Sequence, residues 1–157
     1  MNELSRDQQI SLLRFARNSI AEDLDLNKPY DESEFNDDIF KEKCGAFVTL
    51  HINENLRGCI GQIIGIKEIP ETIYEMAKSA AFKDPRFRAL DSNEFKEIDI
   101  EISILTPIEE VKDVSEIKVG RDGIIISKGF NSGLLLPQVP VEQGWDLQTF
   151  LIHTCYK

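Results

Sequence analysis

Isoleucine occupies every second position from Ile98 to Ile104, with Asp99, Glu101 and Ser103 between. A repeat of two is the repeat of a strand, so one face of this segment is apolar and the other polar. Such a strand must lie in a sheet with one covered face, and the rest of the chain has to supply its neighbours and its cover.

Two further strand-like runs, Phe47 to Ile52 and Leu56 to Ile64, are rich in β-branched and apolar residues. Asn53-Glu54-Asn55 between them suits a three-residue hairpin loop. Short strands are also expected at Ile117 to Val119, Gly123 to Ser127 and Gly133 to Leu136, the last two joined by the loop Lys128 to Ser132.

Helices are marked by their own signals. Ser5 and Gln8 form a capping-box pattern, with Leu4 as the preceding staple residue. Ile10, Leu13, Ala16, Ile20 and Leu24 then follow at helical spacing, predicting a helix from about Ser5 to Leu24. Pro70 opens a second helix with Ile73, Met76, Ala77, Ala80 and Ala81 as its apolar stripe, and Asp84-Pro85 ends it. Leu147, Phe150, Leu151 and Thr154 predict a last helix, with Trp145 expected in the core and Cys155 expected to pack. The acidic stretch from Pro29-Tyr30 to Asn36 has neither period and reads as a surface loop without core residues. Strands and helices do not alternate strictly, which predicts an α+β fold with mostly antiparallel sheets flanked by helices.

A chain of 157 residues is one ordinary domain and buries roughly 70% of its unfolded surface without staples. The formal charge of -10 repels phosphate backbones and anionic lipid, which argues against bulk nucleic-acid binding. Lys83 to Arg88 is nonetheless locally basic, leaving room for a small anionic ligand. Cys44, Cys59 and Cys155 share no metal-binding or disulfide spacing, so no metal site is expected. No apolar run approaches the ~18 residues of a membrane span, and the polar N-terminus lacks a signal-peptide pattern, so the expected location is cytoplasmic.

A three-residue loop at 53–55 pairs His51 with Arg57, Leu50 with Gly58, Thr49 with Cys59 and Val48 with Ile60. One face then carries Val48, Leu50, Ile52, Leu56 and Ile60 and is core. The other carries Phe47, Thr49, His51, Arg57 and Cys59. A cation beside Cys59 favours a thiolate nucleophile, Gly58 and Gly61 permit a ligand to approach the backbone, and Arg57 can hold an anion. The alternative is that the cysteine packs, the glycines mark a bulge and the second face meets only water. Asp84 and Arg86 either flank a cleft or hold a helix-terminal turn by an ion pair. Glu101 and Ser103 share the polar face of their strand and either line a pocket or are solvated.

Several of these blocks together resemble the AMMECR domain family. They are Gly45 to Leu50 leading into Leu56-Arg57-Gly58-Cys59-Ile60-Gly61, then Ala81 to Phe87, Ile102 to Leu105, Leu136 to Val139, Trp145 with Phe150-Leu151, and Cys155-Tyr156-Lys157. The resemblance runs from about Cys44 to the last residue. It implies a single domain over 1–157, an α+β fold in two lobes with a cleft between them, and no established activity. It further implies association with Memo-type and radical S-adenosylmethionine (radical SAM) proteins, and a family pattern that continues beyond Lys157. It adds weight to Arg57 and Cys59 and none to His51.

Two functional expectations follow. One is a small-ligand-binding or adaptor component acting through Leu56 to Gly61 with Arg57, Gly58, Gly61, Asp84, Arg86, Glu101 and Ser103. The other is a thiol-dependent enzyme with Cys59 as nucleophile or redox residue and Arg57 binding an anionic substrate. The residues name no cofactor.

Overall fold

A computed structural model describes residues 3–26 and 35–157. The chain is α+β, as its periodicities predict, and divides into two compact units, Met1–Ile108 and Glu109–Lys157.

The first unit is a three-stranded antiparallel sheet with helices on one face. Helix α1 (Arg6–Asp23) starts at Ser5, whose hydroxyl accepts the Gln8 N–H while the Gln8 side chain accepts the Ser5 N–H, so the capping box forms. Strands β1 (Ala46–Ile52) and β2 (Asn55–Gln62) form a hairpin, α2 (Ile69–Phe82) follows, and β3 (Ile98–Ile104) returns beside β1. The strand order is β2-β1-β3, which puts β2 on an edge. Ile98, Ile100, Ile102 and Ile104 stand opposite Ile52, Leu50, Val48 and Ala46. Their shared face packs on Leu12, Phe15 and Ile20 of α1 and Ile73 and Ala77 of α2.

One reading of this unit changes. Phe35 belongs to the acidic stretch expected to contribute no core, yet it is buried, with its ring 5.1 Å from Phe15 and 4.8 Å from Phe40. Aromatic packing outweighs the acidic neighbours there. Residues 29–34 of that stretch lie outside the described residues.

The second unit pairs β4 (Ile124–Lys128) with β5 (Asn131–Leu135) through the two-residue turn Gly129-Phe130. Helix α3 (Gln138–Glu142) follows, and α4 (Leu147–Cys155) begins at Asp146, which caps the Thr149 N–H. Ile124, Leu135 and Phe150 form its core, with Trp145 against them and stacked on His153 at 4.0 Å. Ile117 to Val119 is not a strand. It follows a short 3-10 turn, Val114–Glu116, and runs into a turn closed by Lys118 and Asp122. Cys155 is exposed rather than packed. No described helix is long and apolar enough to cross a membrane.

Candidate functional site

The Leu56 to Gly61 motif forms most of β2, and its geometry begins in the turn before it. Asn53 and Glu54 both take left-handed backbone angles, φ 49° and 64°, the pattern of a two-residue hairpin turn with the twist of the flanking strands. Ile52 therefore pairs with Asn55 and His51 with Leu56. Between Leu50 and His51 the register then shifts, leaving Arg57 as an extra residue, and Leu50 pairs with Gly58, Thr49 with Cys59 and Val48 with Ile60. The expected His51–Arg57 pair does not form, and Leu56 is 41% exposed instead of core. The pairing from Gly58 onwards matches the expectation, because a two-residue turn plus a one-residue bulge advances the strand as far as a three-residue loop.

The bulge decides which way the motif faces. Without it, Cys59 would stand opposite Val48 and point into the helices, since side chains alternate. With it, Gly58 takes the helix side and Cys59 the other. A Cβ at Gly58 would lie 2.2 Å from the Ala80 carbonyl oxygen of α2, so this glycine lets the helix backbone close on the strand. A Cβ at Gly61 would fall 2.3 Å from the Phe47 ring. The space beside both glycines, expected to admit a ligand, is filled by the protein itself.

Arg57 is buried, 8% exposed. Its Nε donates to Glu94 Oε1 at 3.0 Å, and its Nη2 donates to Glu94 Oε2 and the Arg88 carbonyl, both at 2.9 Å. Phe87 lies under the guanidinium, 5.7 Å from centroid to carbon. Its Nη1 is buried and meets no acceptor among the described residues. The anion Arg57 holds is therefore Glu94. Chiefly through Arg57's hydrogen bonds, and against the opposing effect of burial, the Glu94 carboxyl is pulled down to about 2. Neither Glu94 nor Ala80 was singled out as a partner of the motif: Glu94 lies in an aperiodic stretch, and Ala80 reads only as part of an apolar stripe.

Asp84 and Arg86 serve the edge of the same strand. Asp84, 4% exposed, accepts the Cys59 backbone N–H at 2.9 Å and both Nε and Nη2 of Arg86 at 3.0 and 2.7 Å. Arg86 Nη2 also donates to the Cys59 carbonyl at 3.2 Å. The Arg86 hydrogen bonds hold the Asp84 carboxyl well below the usual carboxylate range, against burial and with help from the Cys59 N–H. The ion-pair reading of Asp84-Pro85-Arg86 thus holds, and the pair also grips β2.

Cys59 is half-buried, and its sulfur accepts a hydrogen bond from the buried Thr49 hydroxyl at 3.2 Å. Thr49 stands opposite Glu101, Phe47 opposite Ser103 and His51 opposite Asp99. Cys59, Thr49 and Glu101 consequently form one row across the three strands, on the face away from α1 and α2, with Ser103 in the next row. Of the residues singled out by sequence, Cys59, Glu101 and Ser103 share this face. Asp84 and Arg86 reach the strand from its edge, whereas Arg57 is enclosed. Among the described residues, no three His, Cys, Asp or Glu side chains are grouped to hold a metal ion.

The comparisons agree with one another. A protein of Saccharolobus islandicus is 44% identical over 168 residues, covering 100% of this chain and 74% of the relative. A protein of Methanothermobacter thermautotrophicus is 43% identical over 160 residues, covering 98% of this chain and 83% of its own. The crystal structure of an uncharacterised protein from Pyrococcus horikoshii superimposes with a TM-score of 0.85 at 41% identity, over 94% of this chain and 77% of that one. The AMMECR1 family profile matches residues 13–157, and the chain belongs to the AMMECR1 family.

Proposed function

We propose that this chain is a small-ligand-binding or adaptor domain whose working surface is the sheet face around Cys59. One observation carries the reading: Arg57, Gly58, Gly61 and the Cys59 backbone are all engaged within the protein, while the Cys59 side chain is left on a polar face beside Thr49, Glu101 and Ser103. That is a rigid platform with hydrogen-bonding groups. Its thiol is bonded to a hydroxyl, and among the described residues no base is hydrogen-bonded to it. An anionic group on the ligand would meet Arg86, whose side chain is 53% exposed, rather than the enclosed Arg57. The resemblance to the AMMECR domain family supports Memo-type and radical SAM proteins as the partners served.

Native mass spectrometry of the purified chain tests this, with Thr49→Val and Glu101→Gln as matched folded variants. The expected result is a bound small molecule that the variants lose. Should neither a co-purifying species nor a panel of phosphate and small carboxylates bind at millimolar concentration, the ligand-binding reading fails.

A thiol-dependent reaction at Cys59 is the second reading, favoured by the half-exposed sulfur close to Arg86. Alkylation by iodoacetamide across a pH series separates the two. An activated thiolate reacts at pH 7 well above the rate of a model thiol, and a rate equal to the model's removes this reading.

A further inference from the structure

Strand β2 is the outermost of its sheet, and most edge strands are blunted along their length. Here the bulge at Arg57 disturbs the start of the edge, and past it, among the described residues, side chains cap one residue. The outward N–H and C=O of Cys59 are met by the Asp84 carboxylate and the Arg86 guanidinium, an acceptor and a donor placed as a neighbouring strand would place its own. Antiparallel pairs alternate between inward and outward bonding, and the outward N–H of Cys59 fixes the phase, so the backbone groups of Gly61 also point away from β1. None of their bonds is to a side chain or loop of the described residues. Immediately past the strand, Ile64 and Ile66 are 68% and 69% exposed, far more than aliphatic side chains within a sheet's cover.

We propose that the outer edge at the end of β2, from Gly61, together with the segment after it to Ile66, accepts an extended polypeptide segment of a partner protein by strand addition, and that the segment carries aliphatic and acidic side chains. Main-chain hydrogen bonds to Gly61 supply the register, and Ile64 and Ile66 supply the apolar contact. The acidic requirement comes from charge: Lys83, Arg86 and Arg88 are exposed on the loop gripping this edge and outnumber its one carboxylate, Asp84, in a chain whose net charge is -10. Arg86 is paired with Asp84 and Arg88 with Asp91 and Glu94, so Lys83 is the cation that a partner's acidic side chain meets first. The same charges argue against a second copy. A two-fold edge-to-edge pairing would set the two basic loops against each other. The inference concerns the strand's edge and stands independently of the ligand proposed for its face.

The test uses the full chain and a labelled, end-blocked octapeptide of alternating isoleucine and glutamate. Two controls accompany it: the same peptide with lysine for glutamate, and the same peptide N-methylated on alternate amides to remove one bonding edge. Expected are binding by fluorescence anisotropy, slowed amide exchange at Gly61, and binding about tenfold weaker for each control, the effect of losing one or two net hydrogen bonds or a charge contact. Ile64→Ser with Ile66→Ser, both on exposed side chains, should weaken binding similarly while leaving the fold intact. Equal binding of the N-methylated peptide overturns strand addition, as does the absence of either binding or exchange protection. Concentration-dependent protection of the Gly61 amide without peptide would instead assign the edge to a second copy.

Discussion

The Asp84 carboxylate accepts the Cys59 backbone N–H at 2.9 Å, standing where the carbonyl of a fourth strand would stand. Arg86 completes the substitution by donating to the Cys59 carbonyl. The two blocks Leu56–Gly61 and Ala81–Phe87 are therefore parts of one assembly in which a loop side-chain pair caps a sheet edge at Cys59.

This arrangement makes the two residues unequal. Arg86→Ala leaves a buried, ionised Asp84 with only backbone donors, and such uncompensated charges cost about 3–5 kcal/mol. Asp84→Ala leaves a half-exposed arginine that water can reach, and the loss should be nearer 1–3 kcal/mol, the cost of the buried N–H of Cys59 left without its acceptor. Urea denaturation of both variants checks the order. Equal losses, or a larger loss for Asp84→Ala, would show that the carboxylate is not held by Arg86 as described.

Acid should loosen the same region. Asp84 and Glu94 both have folded pKa values below their unfolded ones, which are about 3.9 and 4.3. Their contribution is fully present above the unfolded values and disappears as pH falls towards the folded ones. Stability should be insensitive to these groups above about pH 5 and fall between about pH 5 and 2. The double variant Asp84→Asn, Glu94→Gln should have a flatter acid limb in pH-dependent thermal unfolding. An unchanged slope would mean other carboxylates dominate.

Arg57 and Glu94 are the arginine and carboxylate of a partly enclosed bidentate pair. Arg57→Lys cannot reproduce the two parallel bonds and should cost about 2–4 kcal/mol. A cycle of Arg57→Met, Glu94→Leu and the double variant should show the double variant more stable than Arg57→Met alone, because the methionine single leaves Glu94 only the longer contacts with Arg88 at 3.5 Å and the Asp91 N–H at 3.4 Å. Additive losses in chemical denaturation would refute the coupling.

Gly58→Ala introduces a Cβ 2.2 Å from the Ala80 carbonyl oxygen. Both contacting groups are backbone, so α2 or β2 must move, at about 1–3 kcal/mol. Thermal melts of Gly58→Ala alone and combined with Arg57→Lys distinguish packing from ion-pair effects. A Gly58→Ala protein as stable as the parent would place α2 further from the strand than described.

Local periodicity made much of the fold legible. The isoleucine alternation of β3, the capping box of α1 and the stripe of α2 each encode an element through contacts a few residues apart. The thiol's face agrees with the expectation although the loop does not, since the two-residue turn and the one-residue bulge together offset the strands as far as the expected three-residue loop. Arg57's partner was not legible, because Glu94 reaches it from 37 residues away and a lone carboxylate in an aperiodic stretch carries no local mark. Phe35 was missed for a related reason: acidic neighbours describe a segment's average, whereas one aromatic ring is buried by what lies across from it. The roles of Gly58 and Gly61 differed because permissive backbone signals only that something comes close, and here helix and ring do.

The compensation between the left-handed pair Asn53-Glu54 and the extra residue at Arg57 has a consequence for how this hairpin can diverge. Turn length and bulge are tied by parity: a one-residue insertion in the turn restores the thiol's face only if the bulge disappears, and a deletion at Arg57 only if the turn grows. Single-residue insertions and deletions on this hairpin should therefore arise in offsetting couples, whereas isolated ones would swap the cysteine with a glycine against α2.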